Sequence, residues 1–143
     1  MSALLIPKLK VGLSGSVQKT ISREDTALNY GSGALKTLLA TPSLAALMIE
    51  AAVKAVDPIL PEGFITIGKT LKVTHQEPTY QGMSVTVKAD LVEVDENRLV
   101  FEITAYDEIG QISKGHHERY IVKQETIIKR AEKRREPLSN KNY

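Results

Sequence analysis

The chain reads as an α+β protein in which an antiparallel β-sheet wraps one central α-helix, with a basic helical tail at the C-terminal end. Three observations predict this. The stretch TPSLAALMIEAAVKAVD, Thr41 to Asp57, is one almost wholly apolar helix. From Phe64 onward the hydrophobic pattern switches to alternation, the signature of half-buried strands. Tight-turn sequences at Asp95-Glu-Asn-Arg98 and Glu108-Ile-Gly110 then join long alternating segments into a meander.

The helix has a clear start. Thr41 offers a capping hydroxyl, and Pro42 stands where a helix needs no backbone donor. Its polar side chains, Ser43, Glu50, Lys54 and Asp57, fall on one narrow stripe, so the remaining surface demands burial. With 143 residues and 42% hydrophobic content the chain supports one domain with a real core, and one domain is expected. Residues 1–10 read as an N-terminal arm, 11–122 as the domain and 123–143 as the basic tail.

Ahead of the helix, Leu13 to Ile21 reads as a strand with Leu13, Val17 and Ile21 facing inward. Ser22-Arg-Glu-Asp25 turns the chain, and Asn29-Tyr-Gly-Ser-Gly33 punctuates a partly helical approach in which Tyr30 can form part of a pocket wall. Pro58 and Pro61 stop the helix. Ile65, Ile67, Leu71, Val73 and His75 share one face of the next strand, with Lys69 the exception. Val85, Val87, Ala89 and Leu91 alternate cleanly, and the change of phase at Val92 and Val94 predicts a bulge near Leu91. Leu99, Phe101, Ile103 and Ala105 form the inner face of the returning strand, and the last strand covers about Gln111 to Val122.

Several classes are excluded or disfavoured. The chain has no cysteine, which removes disulfides, thiolate metal sites and cysteine nucleophiles and fits a reducing, cytoplasmic setting. No stretch has the length of a membrane span. The formal net charge is +2, and the positive excess sits after Val122, where seven Lys or Arg meet three Glu. Aromatic stacking residues are absent around this run, so a solvated terminal helix with a Glu125–Lys129 pair is expected rather than a nucleic-acid surface. His116 and His117 are adjacent on a strand and point to opposite faces, which argues against a shared metal, and no metal site is expected.

A buried helix opening with Ala40-Thr41-Pro42, a strand ending Val73-Thr74-His75, the Gly82-Met83-x-Val-x-Val strand, the Tyr106-Asp107 hairpin and Gly115-His-His-Glu-Arg119 occur in one order. Together they resemble the hotdog-fold thioesterases of the fluoroacetyl-CoA thioesterase type, over about Val11 to Val122. The resemblance implies a homodimer whose sheets join edge to edge and whose acyl-CoA substrate binds between protomers, with no cofactor beyond the CoA of the substrate. Carried over by position, it assigns the catalytic threonine to Thr41, the catalytic histidine to His75, the substrate-contacting glycine to Gly68 and a substrate-side arginine to Arg119.

The family's catalytic glutamate position, eight residues after the threonine, holds Ile49, with Glu50 one step further on. Two readings of Glu50 follow. It belongs to the outer stripe and pairs with Lys54 at i,i+4, or a one-residue π-bulge rotates it into the catalytic position; Ile49 is counted with Gly68, Arg119 and Tyr30 among the substrate-side residues. Thioester hydrolysis needs a polarised carbonyl, an attacking hydroxyl or water, and a proton acceptor. Thr41 and His75 meet the last two needs. The expected function is hydrolysis of a short-chain acyl-CoA. The rivals are a noncatalytic acyl-CoA or small-acid binding module, favoured by Ile49, and a purely structural or partner-binding domain. Structural readings stand beside each assignment: His75 as a core histidine, Gly68 as relief of crowding, and Arg119 as an ion-pair partner of Asp107 or of Glu118 in another chain.

Overall fold

The structure, a computed structural model, describes residues 9–139; nearly all of the expected arm at 1–10 and the end of the tail at 140–143 lie outside the described residues. Strand β1 (Ser14–Thr20) leads through short 3-10 turns at Arg23–Asp25, Ala27–Tyr30 and Gly33–Leu35 to helix α1 (Thr41–Val56). A further turn (Asp57–Ile59) precedes β2 (Phe64–His75), β3 (Ser84–Asp95), β4 (Arg98–Tyr106) and β5 (Gln111–Lys123), and helix α2 (Gln124–Ser139) closes the described chain. All pairings are antiparallel, in the order β1-β3-β4-β5-β2. The strand that leaves α1 therefore becomes one edge of the sheet, and β1 the other.

Helix α1 lies in the concavity of this sheet. Leu44, Leu47, Met48, Ala51, Ala52 and Val56 pack against Val85, Val87, Leu91, Leu99, Phe101 and Ile103. Each large side chain so buried contributes about 1.5–3 kcal/mol. The fit is close enough to demand glycine at Gly15 of β1, where a Cβ would stand 2.4 Å from the Ala51 carbonyl oxygen and 2.6 Å from the Ala55 nitrogen. Ser43 is buried too, so the outer stripe of α1 is not the polar row expected from spacing; its exposed members are Pro42, Ala46, Ile49, Glu50 and Lys54.

The bulge anticipated near Leu91 is present, with the β3–β4 register shifting between Leu91 and Glu93 and Val92 turned outward. A second bulge corrects the reading of β2. The β2–β5 register shifts between Gly68 and Thr70, leaving Lys69 as the extra residue. The inward face is therefore Phe64, Thr66 and Gly68 before the bulge and Leu71, Val73 and His75 after it, while Ile65 and Ile67 are half-buried on the other face. Alternation alone cannot show that an inserted residue has exchanged the two faces.

Helix α2 continues directly from β5 and is exposed along most of its length, with Glu125 and Lys129 paired at 2.8 Å as expected. Among the described residues no helix is long and apolar enough to cross a membrane.

Candidate active site

The start of α1 is brought to the end of β2 by backbone bonds from both sides. Ala40 N–H donates to the Asp25 carbonyl (2.9 Å), Leu39 N–H to Thr79 (2.9 Å), and Gln81 N–H to Thr37 (2.7 Å), stitching the approach segment to the β2–β3 loop. His75, the last residue of β2, is held opposite Ser113, whose hydroxyl donates to the Thr74 carbonyl at 2.9 Å. Gln76 and Glu77 N–H both donate to the Ile112 carbonyl. The result is a hydrogen bond of 2.8 Å between Thr41 Oγ1 and His75 Nδ1.

Thr41 does not cap its helix through its hydroxyl. Ala40 occupies the cap position with extended backbone, and no side chain caps the first turn. The hydroxyl is committed to the imidazole instead, which leaves early backbone donors of α1 open to an anion or a polarised oxygen. Burial holds the His75 pKa below its ordinary value near 6.5, with the Glu77 backbone opposing this in part. The ring is therefore neutral around pH 7, and a neutral ring can accept the Thr41 proton at Nδ1. Its Nε2 is buried with no hydrogen-bond partner among the described residues. The pair opens on a cavity of about 440 Å³ lined by Tyr30, Leu35, Leu38, Pro42, Gln76 and Pro78, among others.

Gly68 and Arg119 form a second cluster at some distance from the first. Seven residue steps run from Gly68 to His75, one of them taken up by the bulge, which leaves roughly 20 Å at ~3.3 Å per residue. Arg119 is 6% exposed; its Nε donates to Thr66 Oγ1 (2.8 Å), Nη2 to the Thr66 carbonyl (2.8 Å), and Nη1 lies 3.2 Å from His117 Nε2. A Cβ at position 68 would meet Nη1 at 3.3 Å, so the glycine keeps the space beside the guanidinium open. Neither Asp107 nor Glu118 pairs with Arg119 in the chain. Asp107 accepts from Thr79 and the Ile109 and Gly110 amides, and Glu118 bonds Thr70 and Arg98 on the outer face.

Glu50 stays outside. Helix α1 is α-helical without interruption from Thr41 to Val56, so the π-bulge that would turn Glu50 inward is absent. Its carboxylate lies 3.8 Å from Lys54 Nζ with both side chains more than half exposed. Ile49 is 37% exposed on the same outer side, and it does not touch the Thr41–His75 pair through the cavity described above. The adjacent histidines separate as their alternation requires: His116 meets Glu102 on the outer face, and His117 is buried beside Arg119. Sequence reasoning missed Asp57, Thr66 and His117 as members of one cluster. The His117-x-Arg119 spacing carried a signal, since i,i+2 residues of a strand share a face.

A curled antiparallel sheet around one helix, with a hydroxyl–imidazole pair at the helix start, defines a hotdog-fold protein of the thioesterase superfamily. The comparison with family models carries this further, because residues 21–125 match the family described as FlK, fluoroacetyl-CoA-specific thioesterase. The chain belongs to that family. It is similar to a fluoroacetyl-CoA thioesterase of Streptantibioticus cattleyicolor, with 36% identity over 85 residues that cover 59% of this chain and 61% of the relative. The match thus spans about three fifths of that relative's length.

Among solved structures, a hot-dog-like protein from Thermanaerovibrio acidaminovorans superposes with a TM-score of 0.83 at 31% identity, covering 88% of this chain and 93% of its own. The fluoroacetyl-CoA thioesterase FlK gives a TM-score of 0.82 at 26% identity, covering 89% and 98%. Most of α2 lies beyond the residues matched by the family model.

Proposed function

We propose that the chain hydrolyses a short-chain acyl-CoA thioester at a site completed between two copies, with Thr41 and His75 at the reacting carbonyl and Gly68 and Arg119 at the acyl end. The 2.8 Å bond between Thr41 Oγ1 and His75 Nδ1 carries this reading. In it, His75 Nδ1 takes the Thr41 proton as Oγ1 attacks the thioester carbonyl carbon, the carbonyl π electrons moving onto oxygen. Amide donors of the first turn of α1 receive that oxygen. Collapse expels CoA thiolate, which takes the proton from the imidazolium; water, activated by the same imidazole, then releases the acid from Thr41. Membership of the family and the names of its relatives support the substrate class, and a FlK variant has been solved with acetyl-CoA.

The division of the site into two clusters supports the dimer. Strand β2 is twelve residues long and, among the described residues, pairs on one side only, and an edge of that length calls for a partner. Antiparallel pairing of two β2 edges about a two-fold axis at Lys72, with Lys69 as the surplus residue of the bulge, sets His75 of one copy opposite Gly68 of the other. That register brings each Thr41–His75 pair to the other copy's Arg119, and the exposed Pro42, Ala46 and Ile49 of α1 supply apolar surface nearby.

The unpartnered His75 Nε2 favours a second reading. With Ile49 in the family's glutamate position no carboxylate among the described residues orients the ring, which suits a module that binds acyl-CoA or a small acid without turning it over. Thiol release from a panel including acetyl-CoA and fluoroacetyl-CoA, with His75→Ala as the control, decides between them. Turnover that disappears in His75→Ala supports hydrolysis; turnover that survives removes His75 from the chemistry. Calorimetric binding without turnover selects the binding module, and absence of both leaves a structural or partner-binding domain.

A further inference from the structure

A continuous row of polar groups, most of them buried, runs beneath Gly68 from the end of α1 to the far side of the β2 bulge. Asp57 accepts from the Thr66 amide at 3.1 Å and from Thr66 Oγ1 at 2.6 Å. Thr66 Oγ1 accepts in turn from Arg119 Nε, Arg119 Nη1 reaches His117 Nε2, and His117 Nδ1 lies 2.7 Å from the Thr70 carbonyl oxygen. Thr66, His117 and Arg119 are 4%, 2% and 6% exposed.

Every proton in this row is assigned by its neighbours. A carbonyl oxygen only accepts, so His117 Nδ1 carries the hydrogen; a guanidinium only donates, so His117 Nε2 does not. The imidazole is therefore the neutral Nδ1–H tautomer. The Thr66 hydroxyl must donate to the Asp57 carboxylate, because its lone pair serves Arg119. The carboxylate is thus held one hydroxyl away from the guanidinium. It stands at the C-terminal end of α1, where the helix dipole disfavours negative charge, so its placement does not serve the helix. It serves Thr66.

Resting on the reading of Arg119 as a substrate-side group, we propose that Asp57, Thr66 and His117 are positioning residues that lock the Arg119 guanidinium beneath Gly68 in one orientation. Three of its five N–H groups are spent on Thr66 and His117, and the lock holds Nη1, which a Cβ at position 68 would meet at 3.3 Å, beside the glycine with its second hydrogen unspent. The acyl end is then met by a preset charge rather than by a mobile side chain.

The experiment joins spectroscopy with kinetics on the full chain. Nitrogen-15 spectra of the wild type are expected to show His117 as the Nδ1–H tautomer and the Arg119 Nε–H protected from water exchange at least about tenfold relative to free arginine. Thr66→Val, which keeps the shape and removes the hydroxyl, is expected to abolish that protection. It should also lower kcat/KM for short acyl-CoA by about tenfold to a hundredfold, mostly through KM, with the acidic limb set by His75 unmoved. Thr66→Ser is expected to restore both. The Nε2–H tautomer, protection that survives Thr66→Val, or a folded Thr66→Ser as impaired as Thr66→Val overturns the proposal. A wild type that neither turns over nor binds acyl-CoA sinks the functional reading alone, because the spectra still decide whether the guanidinium is fixed.

Discussion

Two inactive variants should rescue each other if the site is shared. His75→Ala removes the proton acceptor, a loss of about 10²–10⁴ in rate for a general base. Arg119→Gln removes the buried charge at the other cluster, with an expected loss of about 10²–10³, as for a deleted electrostatic donor. His75 and Gly68 stand roughly 20 Å apart along β2, too far for one short acyl group to span within a chain. When the two variants are co-expressed in equal amounts with different tags, half of the dimers are mixed. Each mixed dimer holds one site with both groups intact and one lacking both, so thiol release should return to about a quarter of the wild-type rate under random two-fold pairing. The tags verify that mixed dimers formed, and the parental backgrounds of about 1% or less leave the recovery visible. Verified mixed dimers with no recovery would refute the shared site, because a site complete within one chain is broken in both variants.

Because burial holds the His75 pKa below the ordinary 6.5, kcat/KM should rise with pH through a midpoint below that value and be level by neutrality, a profile read from thiol release across pH 5 to 8. Glu50→Ala should leave kcat/KM unchanged and shift stability by no more than about 0.5 kcal/mol, since its carboxylate meets Lys54 in solvent; denaturant titration and the thiol assay check this together. Gly15→Ala should cost about 2–3 kcal/mol, because a Cβ 2.4 Å from helix backbone cannot be relieved by a rotamer change. That corresponds to a fall in Tm of roughly 6–12 °C, against little change for Gly33→Ala, which meets nothing within 4 Å. Finally, the His117 pKa is lowered, first by burial. The unfolded chain then binds the proton first, so stability should be full above pH 6.5 and fall as pH drops below it, followed by urea midpoints at several pH values.

The elements most legible in the sequence were those whose pattern is local. An apolar run between Pro42 and Pro58 can only be a buried helix, and the alternation in β3 and β4 named its inner face residue by residue, bulge included. The Thr41–His75 contact was not local. It depends on bonds between the approach segment and the β2–β3 loop that no spacing rule encodes, and only the family resemblance pointed to it. The errors have specific causes. Thr41 is a suitable capping residue by type, yet its hydroxyl has a better partner in an imidazole. Asp57 looked like the last member of an exposed stripe because a helical wheel does not show the strand that folds back against its end. Ile65 and Ile67 read as sharing the face of Leu71, Val73 and His75 because hydrophobic identity outweighs a single lysine that interrupts the rhythm.

That lysine has a consequence beyond the strand it interrupts. The residues of β2 upstream of Lys69 hold the guanidinium cluster, and those downstream end in the imidazole; both face α1 only because one surplus residue resets the parity between them. Deleting Lys69 would leave every functional side chain in the chain and still turn one half of the machinery to the wrong side of the sheet. A chain lacking only this residue would therefore keep its strands and helix yet no longer present the guanidinium and the imidazole on one side of them.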